Sequence, residues 1–335
     1  MDEPAVVLAQ DEVARLFAEV RKLRDQSTSF VFVSHKLGEV MELTDRVTVL
    51  RDGQWVKTAP TKNLDGETIA QLMVGRELSS LYPTKREPDV DADVVLTVDG
   101  VSTGFVRNAS FELRRGEILG FSGLIGSGRT ELMEAVAGLH TRTSGTVHVN
   151  GKPLPPEDMD ASSDVGLTYM TKDRKGKGLI LHDMMTPNLT LQSLHLHGRH
   201  GLVSPASEAK VMERAKRRFD IRVRDQWITV GRMSGGDQQK LLLAKIMEME
   251  PQIVIIDEPT RGIDVSTKQQ NYEFISVLAH EGHSVVMISS EMPEIIGMCT
   301  RVAVMREGAL VEILNGDDVN ENQIMRAAAG LRQAS

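Results

Sequence analysis

The segment Asp2-Glu3-Pro4 recurs as Asp257-Glu258-Pro259, and the offset of 255 positions then holds without a gap. Ser34 falls on Ser289, His35 on Ser290, Glu39 on Glu294, Arg46 on Arg301, Val47 on Val302, Arg51 on Arg306 and Gly53 on Gly308. A register kept for about fifty positions marks two copies of one folding unit. Each copy reads as an acidic turn, a helix (Asp11 to Arg24; Lys268 to Ala279) and a short apolar strand (Phe30 to Val33; Ser284 to Ile288). A second helix and a hairpin turning on Asp52-Gly53 or Glu307-Gly308 follow. Strands that alternate with helices predict a parallel α/β sheet.

A long stretch precedes Asp257, whereas only Met1 precedes Asp2. Residues 1–75 are therefore expected to be the C-terminal fragment of a domain, truncated relative to the second copy. Residues 76–93, with Pro83, Pro88 and clustered charges, read as a linker, and residues 94–335 as a complete domain. A half-sheet without its neighbouring strands exposes an edge and an apolar face, so the first copy is expected to be marginal alone or to dock on something.

The 335 residues, 41% of them hydrophobic, suffice for one large domain or two modest ones. A formal net charge of −8 argues against nucleic-acid binding through bulk electrostatics. Cys299, the single cysteine, excludes a disulfide framework or a cysteine-built zinc site, fits a reducing compartment, and reads as buried packing. No apolar run approaches the twenty or so residues of a membrane span, and Met1-Asp2-Glu3-Pro4 does not open a signal peptide. A cytoplasmic protein is expected, reaching a membrane only through a partner.

A strand over Glu117 to Phe121 is predicted to run into Gly123-Leu124-Ile125-Gly126-Ser127-Gly128-Arg129-Thr130 and then a helix from Glu131. This spacing matches the phosphate-cradling loop G-x-x-x-x-G-K-[ST], with Arg129 where lysine is expected. Glycines let backbone N–H groups turn inward around an anion, the helix N-terminus adds its positive dipole end, and Thr130 offers a hydroxyl to Mg²⁺. Arg129 keeps the charge in a larger planar fork, a change that phosphate binding survives more easily than fast hydrolysis. A plain glycine turn between strand and helix would also fit this loop alone.

The apolar strand Ile253-Val254-Ile255-Ile256 ends in Asp257 and Glu258. Asp257 is suited to hold Mg²⁺ through water and Glu258 to orient an attacking water as base. Between these elements, Ser234-Gly235-Gly236-Asp237-Gln238-Gln239-Lys240 opens another helix. Ser234 alone would serve as an N-cap, but a cap does not need two following glycines, which weaken a helix. The run reads as a second anion-binding tip.

With these three elements in this order the chain resembles an ATP-binding-cassette ATPase. More narrowly it is similar to the double-cassette ATPases of bacterial monosaccharide importers, on three features: the Ser234 to Lys240 signature, the run Asp257-Glu258-Pro259-Thr260-Arg261-Gly262-Ile263-Asp264-Val265, and Arg129. The resemblance implies an α/β P-loop NTPase fold, with a RecA-like core, a helical subdomain over about residues 182–250 and a small antiparallel β subdomain. It implies ATP and Mg²⁺ as ligands. The implied partners are a membrane permease pair, an external sugar-binding protein, and a second cassette or second copy of the chain, at the inner face of the plasma membrane. A DNA-repair or translation cassette protein would carry cysteine zinc modules or basic inserts, and neither is visible.

Residue by residue, the resemblance implies that Gly123, Gly126, Ser127, Gly128, Arg129 and Thr130 hold ATP, with Thr130 and Asp257 on Mg²⁺ and Glu258 as the catalytic carboxylate. Glu3 and His35 match the acidic strand end and switch histidine of the first cassette, and Ser290 stands at the switch position of the second. Phe105 is either an adenine-stacking aromatic or a core residue. Lys172, in Thr171-Lys172-Asp173-Arg174-Lys175, departs from the Glu or Gln usual in the permease-sensing loop. Ala5-Val6-Val7-Leu8-Ala9 lacks the two hydroxyls usual after the first acidic turn.

In this family ATP lies between the phosphate loop of one cassette and the signature loop of another. Ser234, Gly235, Gly236 and Gln238 would then close over ATP held by a partner, and the chain completes no site by itself. Two outcomes are open: an ATPase formed by two chains pairing head to tail, or a nucleotide-binding, hydrolysis-deficient remnant or regulatory module of a longer protein. Elsewhere, His195, His197 and His200, with His182 nearby, read as a solvated loop rather than a metal site. The basic stretch Lys210 to Arg224 reads as a solvated helix face.

Overall fold

The computed structural model describes residues 1, 4, 10–34, 37–51, 53–74, 82–85, 91–199, 202–223, 225 and 227–331. The chain divides into two compact units, Met1–Leu81 with Gly262–Gln270, and Tyr82–Arg261 with Asn271–Ser335.

In the first unit, helix α1 (Gln10–Asp25) buries Phe17 and Val20 and leaves most of its other described side chains in solvent, the amphipathic arrangement of a surface helix. Helix α2 (Leu37–Leu43) leads into a hairpin of β1 (Arg46–Arg51) and β2 (Gln54–Pro60), and helix α3 (Gly66–Val74) follows. Val47 and Val49 alternate inward along β1 and join Val40, Leu64 and Ile69 in a small core, against which Phe32 and Met41 pack. Thr48 and Thr58 hydrogen-bond across the outer face at 2.9 Å.

The predicted strand Phe30 to Val33 does not form as a strand. Only Val33 makes a bridge; its amide donates to the Met1 carbonyl at 2.9 Å, and the Met1 amine donates to the Val31 carbonyl at 2.8 Å. Val31 and Val33 remain exposed. An apolar run becomes a strand only where flanking chains complete its ladder, and among the described residues Met1 is the partner given to this one.

The second unit opens with β3 (Val94–Ser102) and β4 (Ala109–Arg114), then β5 (Ile118–Gly123), the glycine loop and helix α4 (Arg129–Val136). Strand β5 starts one residue later than predicted because Glu117 belongs to the turn. Its carboxylate accepts from the Arg114 amide at 2.8 Å and pairs with Arg301 at 2.7 Å. Next come β6 (Ser144–Val149), β7 (Lys152–Pro153), α5 (Met159–Asp164) and β8 (Leu167–Met170).

A mostly helical stretch follows: α6 (Met185–Thr190), α7 (Leu194–His197), the short pair β9 (Gly198–Arg199) and β10 (Leu202–Val203), α8 (Pro205–Phe219) and α9 (Gly235–Met247). The chain closes with β11 (Ile253–Asp257), α10 (Val265–His280), β12 (Ser284–Ile288), α11 (Met292–Met298), β13 (Arg301–Arg306), β14 (Ala309–Asn315) and α12 (Glu321–Ala329).

Six strands form one sheet in the order β14-β13-β5-β12-β11-β8, parallel except for β14. Strands β11 and β12 are buried at every residue, as expected where both faces of a parallel sheet are covered. A second, antiparallel sheet has the order β4-β3-β6-β7. Leu132, Met133 and Val136 of α4 share a core with Leu119, Phe121 and Ile255 of one sheet and Leu96, Val98 and Phe111 of the other. Both ends of the glycine loop are therefore anchored in packed structure. Under β5, Gly120 faces the buried Cys299, whose sulfur would lie 2.9 Å from a β-carbon added at that glycine.

The repeat persists in three dimensions. Helices α1, α2 and α3 have the bounds of α10, α11 and α12 shifted by 255, and β1 and β2 those of β13 and β14. The register slip in the first hairpin, between Val49 and Leu50, returns in the second between Val304 and Met305.

One surface reading changes. His197 is 7% exposed; its ring nitrogens lie 3.0 Å from Ser193 Oγ and 3.2 Å from Ser207 Oγ, so it belongs to a buried polar cluster and not to a solvated loop. His200 lies outside the described residues. In the predicted linker, Tyr82 is packed on Tyr272, with ring centroids 5.0 Å apart. The basic residues Arg214, Arg217 and Arg218 of α8 do point outward. Among the described residues, no helix is long and apolar enough to cross a membrane.

Candidate functional site

The loop between β5 and α4 is shaped by its glycines. Gly123 has φ +151°, and a β-carbon there would fall 2.3 Å from the Met305 carbonyl oxygen. Gly128 caps α4 with φ +99°, and a β-carbon there would press on the Phe105 ring at 3.1 Å and the Gly308 backbone at 3.2 Å. The first turn of α4 leaves amides, among them those of Arg129 and Thr130, without intrahelical acceptors. Ser127 Oγ is buried and has no hydrogen-bond partner, an orphaned polar atom inside the loop. Together these present donors to an anion at the positive end of a helix dipole. Phe105 is 48% exposed beside this loop, so it is not a core residue.

Strand β11 delivers the carboxylates. Asp257 is 1% exposed, and its Oδ2 accepts from Thr130 Oγ1 and from Tyr169 OH, each at 2.9 Å. Its other oxygen, Oδ1, is buried without a partner. Burial pushes the Asp257 carboxyl up from its ordinary range, against the hydrogen bond from Thr130 and the charge of Lys172. A carboxylate with a spare buried oxygen beside a threonine hydroxyl is a hard oxygen donor set that fits Mg²⁺. No group of three or more His, Cys, Asp or Glu side chains placed to hold a metal occurs among the described residues, so a magnesium ion would need oxygens from its phosphate ligand as well.

Glu258 has φ +52°, and its amide is held by the Ile288 carbonyl at 2.9 Å. Its Oε2 accepts from Ser290 Oγ at 3.0 Å. Burial raises its carboxyl too, against hydrogen bonds from Ser290 and the charge of Arg129, which moves it toward the range useful for a base. Arg129 is 8% exposed and donates from Nη1 to the Ser289 carbonyl at 2.6 Å. Burial lowers its pKa, opposed by Glu258 and Asp257.

Thr130, Arg129, Asp257, Glu258 and Ser290 thus form one connected cluster. Ser234 is not in that cluster. It caps α9, accepting from the Asp237 amide at 3.1 Å and donating to its carboxylate at 2.7 Å. Gly235 and Gly236 form the first turn of that helix. Gln238 is turned inward, donating to the carbonyls of Val230 at 3.0 Å and Met233 at 3.4 Å, so it braces the signature loop from beneath. Glu3 and His35, with Asp2, lie outside the described residues.

Three participants were not identified from the sequence. Tyr169 joins Asp257 across 88 positions, and Ser289 meets Arg129 through a backbone carbonyl, for which no residue type is diagnostic. Glu294, 1% exposed, accepts from Thr260 Oγ1, from Tyr272 OH at 2.5 Å and from Ser289 Oγ at 2.6 Å. The signal for it was present in the repeat: Ser34 Oγ donates to Glu39 Oε2 at 3.1 Å in the first unit.

Residues 106–261 match the family model described as ABC transporter. The chain is 38% identical over 330 residues to the ribose import ATP-binding protein RbsA of Lactococcus lactis subsp. cremoris, covering 98% of this chain and 67% of that protein. It is 40% identical over 334 residues to the ribose import ATP-binding protein RbsA 3 of Rubrobacter xylanophilus, covering 99% and 67%. Among solved structures, a nucleotide-free ATP-binding cassette from an ABC transporter matches with TM-score 0.59 at 16% identity, over 70% of this chain and 96% of that one. A dimeric bacterial ABC transporter cassette matches with TM-score 0.57 at 19% identity, over 66% and 98%. These structures speak for the cassette fold, and the relatives extend the likeness along nearly the whole chain while it spans about two thirds of theirs. On the identity and coverage of those relatives the chain belongs to the ATP-binding proteins of ABC transporters.

Proposed function

We propose that the chain is the ATP-binding subunit of an importer for a monosaccharide, with ribose, named for its relatives, as the first sugar to test. It binds ATP with Mg²⁺ at the loop Gly123–Thr130 and hydrolyses it. One observation carries this reading: Ser127 Oγ and Asp257 Oδ1, two buried polar atoms without partners, flank the hydrogen-bonded pair Thr130–Asp257. Buried polar atoms are rarely left unpaired, and here a phosphate and its counter-ion would satisfy both.

In this reading the amides of Gly126 to Thr130 and the Arg129 guanidinium hold phosphate oxygens, and the exposed ring of Phe105 stacks on the base. Thr130 and Asp257 hold Mg²⁺, which neutralises phosphate charge when bound. Glu258 accepts a proton from the attacking water, and Ser290 Oγ fixes the carboxylate's orientation. Ser234 to Gly236, presented at a helix start, close over ATP held by a second cassette or a second copy of the chain. Residues 1–75 are the C-terminal part of one cassette, 76–93 a linker and 94–335 a whole cassette. Glu3 and His35 belong to the first. A permease pair and an external sugar-binding protein complete the importer. The chain then works on the cytoplasmic side of the membrane, and the permease and binding protein select the sugar.

The test is equilibrium ATP binding beside steady-state ATP hydrolysis, with Mg²⁺, on the whole chain across protein concentration. Arg129→Ala is expected to weaken ATP binding about 10- to 100-fold, the loss of one charge-assisted contact. Turnover per chain is expected to rise with concentration as pairs form. ATP bound without turnover at any concentration would sink the hydrolysis arm. Unchanged affinity in Arg129→Ala would sink the assignment of the loop.

A further inference from the structure

Beside the site, a lysine ammonium reaches the phosphate loop itself. Lys172 follows β8 on the segment Thr171–Gly178, and its ammonium donates to Thr130 Oγ1 at 2.9 Å. The same hydroxyl donates to Asp257 Oδ2, so it carries a lysine on one side and a carboxylate on the other. The segment is braced. The Asp173 amide donates to Thr171 Oγ1 at 3.1 Å, and Asp173 Oδ1 accepts from the Gly176 amide at 2.9 Å. Arg174 Nη1 reaches Gln239 Oε1 at 3.1 Å, and Lys245 Nζ, buried, holds the Gly178 carbonyl at 2.9 Å. The backbone of Lys172 is thereby fixed close to the phosphate loop, although the residue as a whole is exposed. Its head group reaches the site through charge attraction and not through burial.

A threonine hydroxyl that donates its hydrogen bond to Asp257 has two lone pairs to offer. Mg²⁺ demands near-ideal octahedral geometry at short distance, and an ammonium on the same oxygen repels it. An ammonium is also a compact point charge suited to phosphate oxygens.

We propose that Lys172 acts as a tethered cation that substitutes for the divalent ion at Thr130, so that the chain binds nucleotide triphosphate without Mg²⁺ nearly as well as with it. In the metal-free complex the ammonium lies between Thr130 Oγ1 and the phosphates. In the metal complex Lys172 swings out and leaves the hydroxyl to Mg²⁺. The segment that carries it thereby reports which cation is present. This rests on the phosphate loop being the ATP site, as proposed above.

The experiment is calorimetric titration of the whole chain with ATP, once in excess Mg²⁺ and once in EDTA, for the wild type, Lys172→Met and Lys172→Glu. For the wild type the two dissociation constants are expected to agree within about threefold, whereas Lys172→Met loses about tenfold or more in EDTA only, the value of one charge-assisted contact. Lys172→Glu, which places a further carboxylate on the site, is expected to require Mg²⁺ for measurable binding. Thermal melts of both variants should match the wild type, because the residue is exposed and its removal opens no core. ATP binding by the wild type in Mg²⁺ alone, or Lys172→Met indistinguishable from it in EDTA, overturns the role of Lys172 and leaves the site assignment standing. No ATP binding in either buffer overturns both.

Discussion

Glu258→Gln is expected to hold ATP within about threefold of the wild-type affinity and to release phosphate at least about a hundredfold more slowly, the usual scale for loss of a general base. The two side chains have the same shape, and an amide oxygen at Oε1 can still accept from Ser290 Oγ. Only the ability to take a proton is removed. Burial already lifts the Glu258 carboxyl toward the operating range of a base, and the φ of +52° turns the residue away from the regular strand path of β11. Backbone held in that region by a non-glycine residue is uncommon and is stabilised here by the bond from its amide to Ile288. Nucleotide titration and a phosphate-release assay separate the two effects. Turnover within tenfold of wild type would mean that another group activates the water.

The largest stability effect is expected at Glu294. Its carboxylate is the shared acceptor of three hydroxyls, those of Thr260, Tyr272 and Ser289, each of which is at most 2% exposed. In Glu294→Ala all three lose that acceptor in a site with little room for water. At roughly 1–3 kcal/mol for each buried polar group left unpaired, the variant should lose about 3–5 kcal/mol. For a unit of this size that is a fall of about 10 °C in melting temperature. Glu294→Gln, which keeps an oxygen acceptor, should fall by less. A melt of Glu294→Ala within two or so degrees of wild type would show that the hydroxyls find other acceptors. The network also has a functional reach, since Ser289 offers its hydroxyl to Glu294 and its carbonyl to Arg129. Loosening it should weaken ATP binding as well.

Much of this site was legible in the sequence because its parts are local. Glycines at 123, 126 and 128 followed by Arg129 and Thr130 need only the chain's own turn to meet, and Asp257 with Glu258 closes an unmistakably apolar strand. What stayed hidden depends on partners far along the chain. The hydroxyl of Tyr169 on Asp257, the Ser289 carbonyl on Arg129 and the inward turn of Gln238 follow from sheet order and helix docking, which no spacing rule encodes. Phe30 to Val33 shows the same limit from the other side. Its composition is that of β12, yet β12 is a strand because β11 and β5 flank it. His197 was misread because three histidines in a polar stretch suggest solvent, whereas Ser193 and Ser207 give the ring a dry place.

The sulfur beneath Gly120 makes the second unit its own clock. Cys299 is the chain's only thiol; it ends α11 and is wholly buried against Gly120 of β5, and burial raises its pKa far above the usual thiol range. A thiol reagent therefore reacts only when the packing of this helix end on β5 opens. The rate at which it labels the native protein measures how often that opening occurs, without any engineered probe. Bound nucleotide should slow the label in proportion to its saturation, so ligand affinity becomes readable from the chemistry of an atom that never meets the ligand.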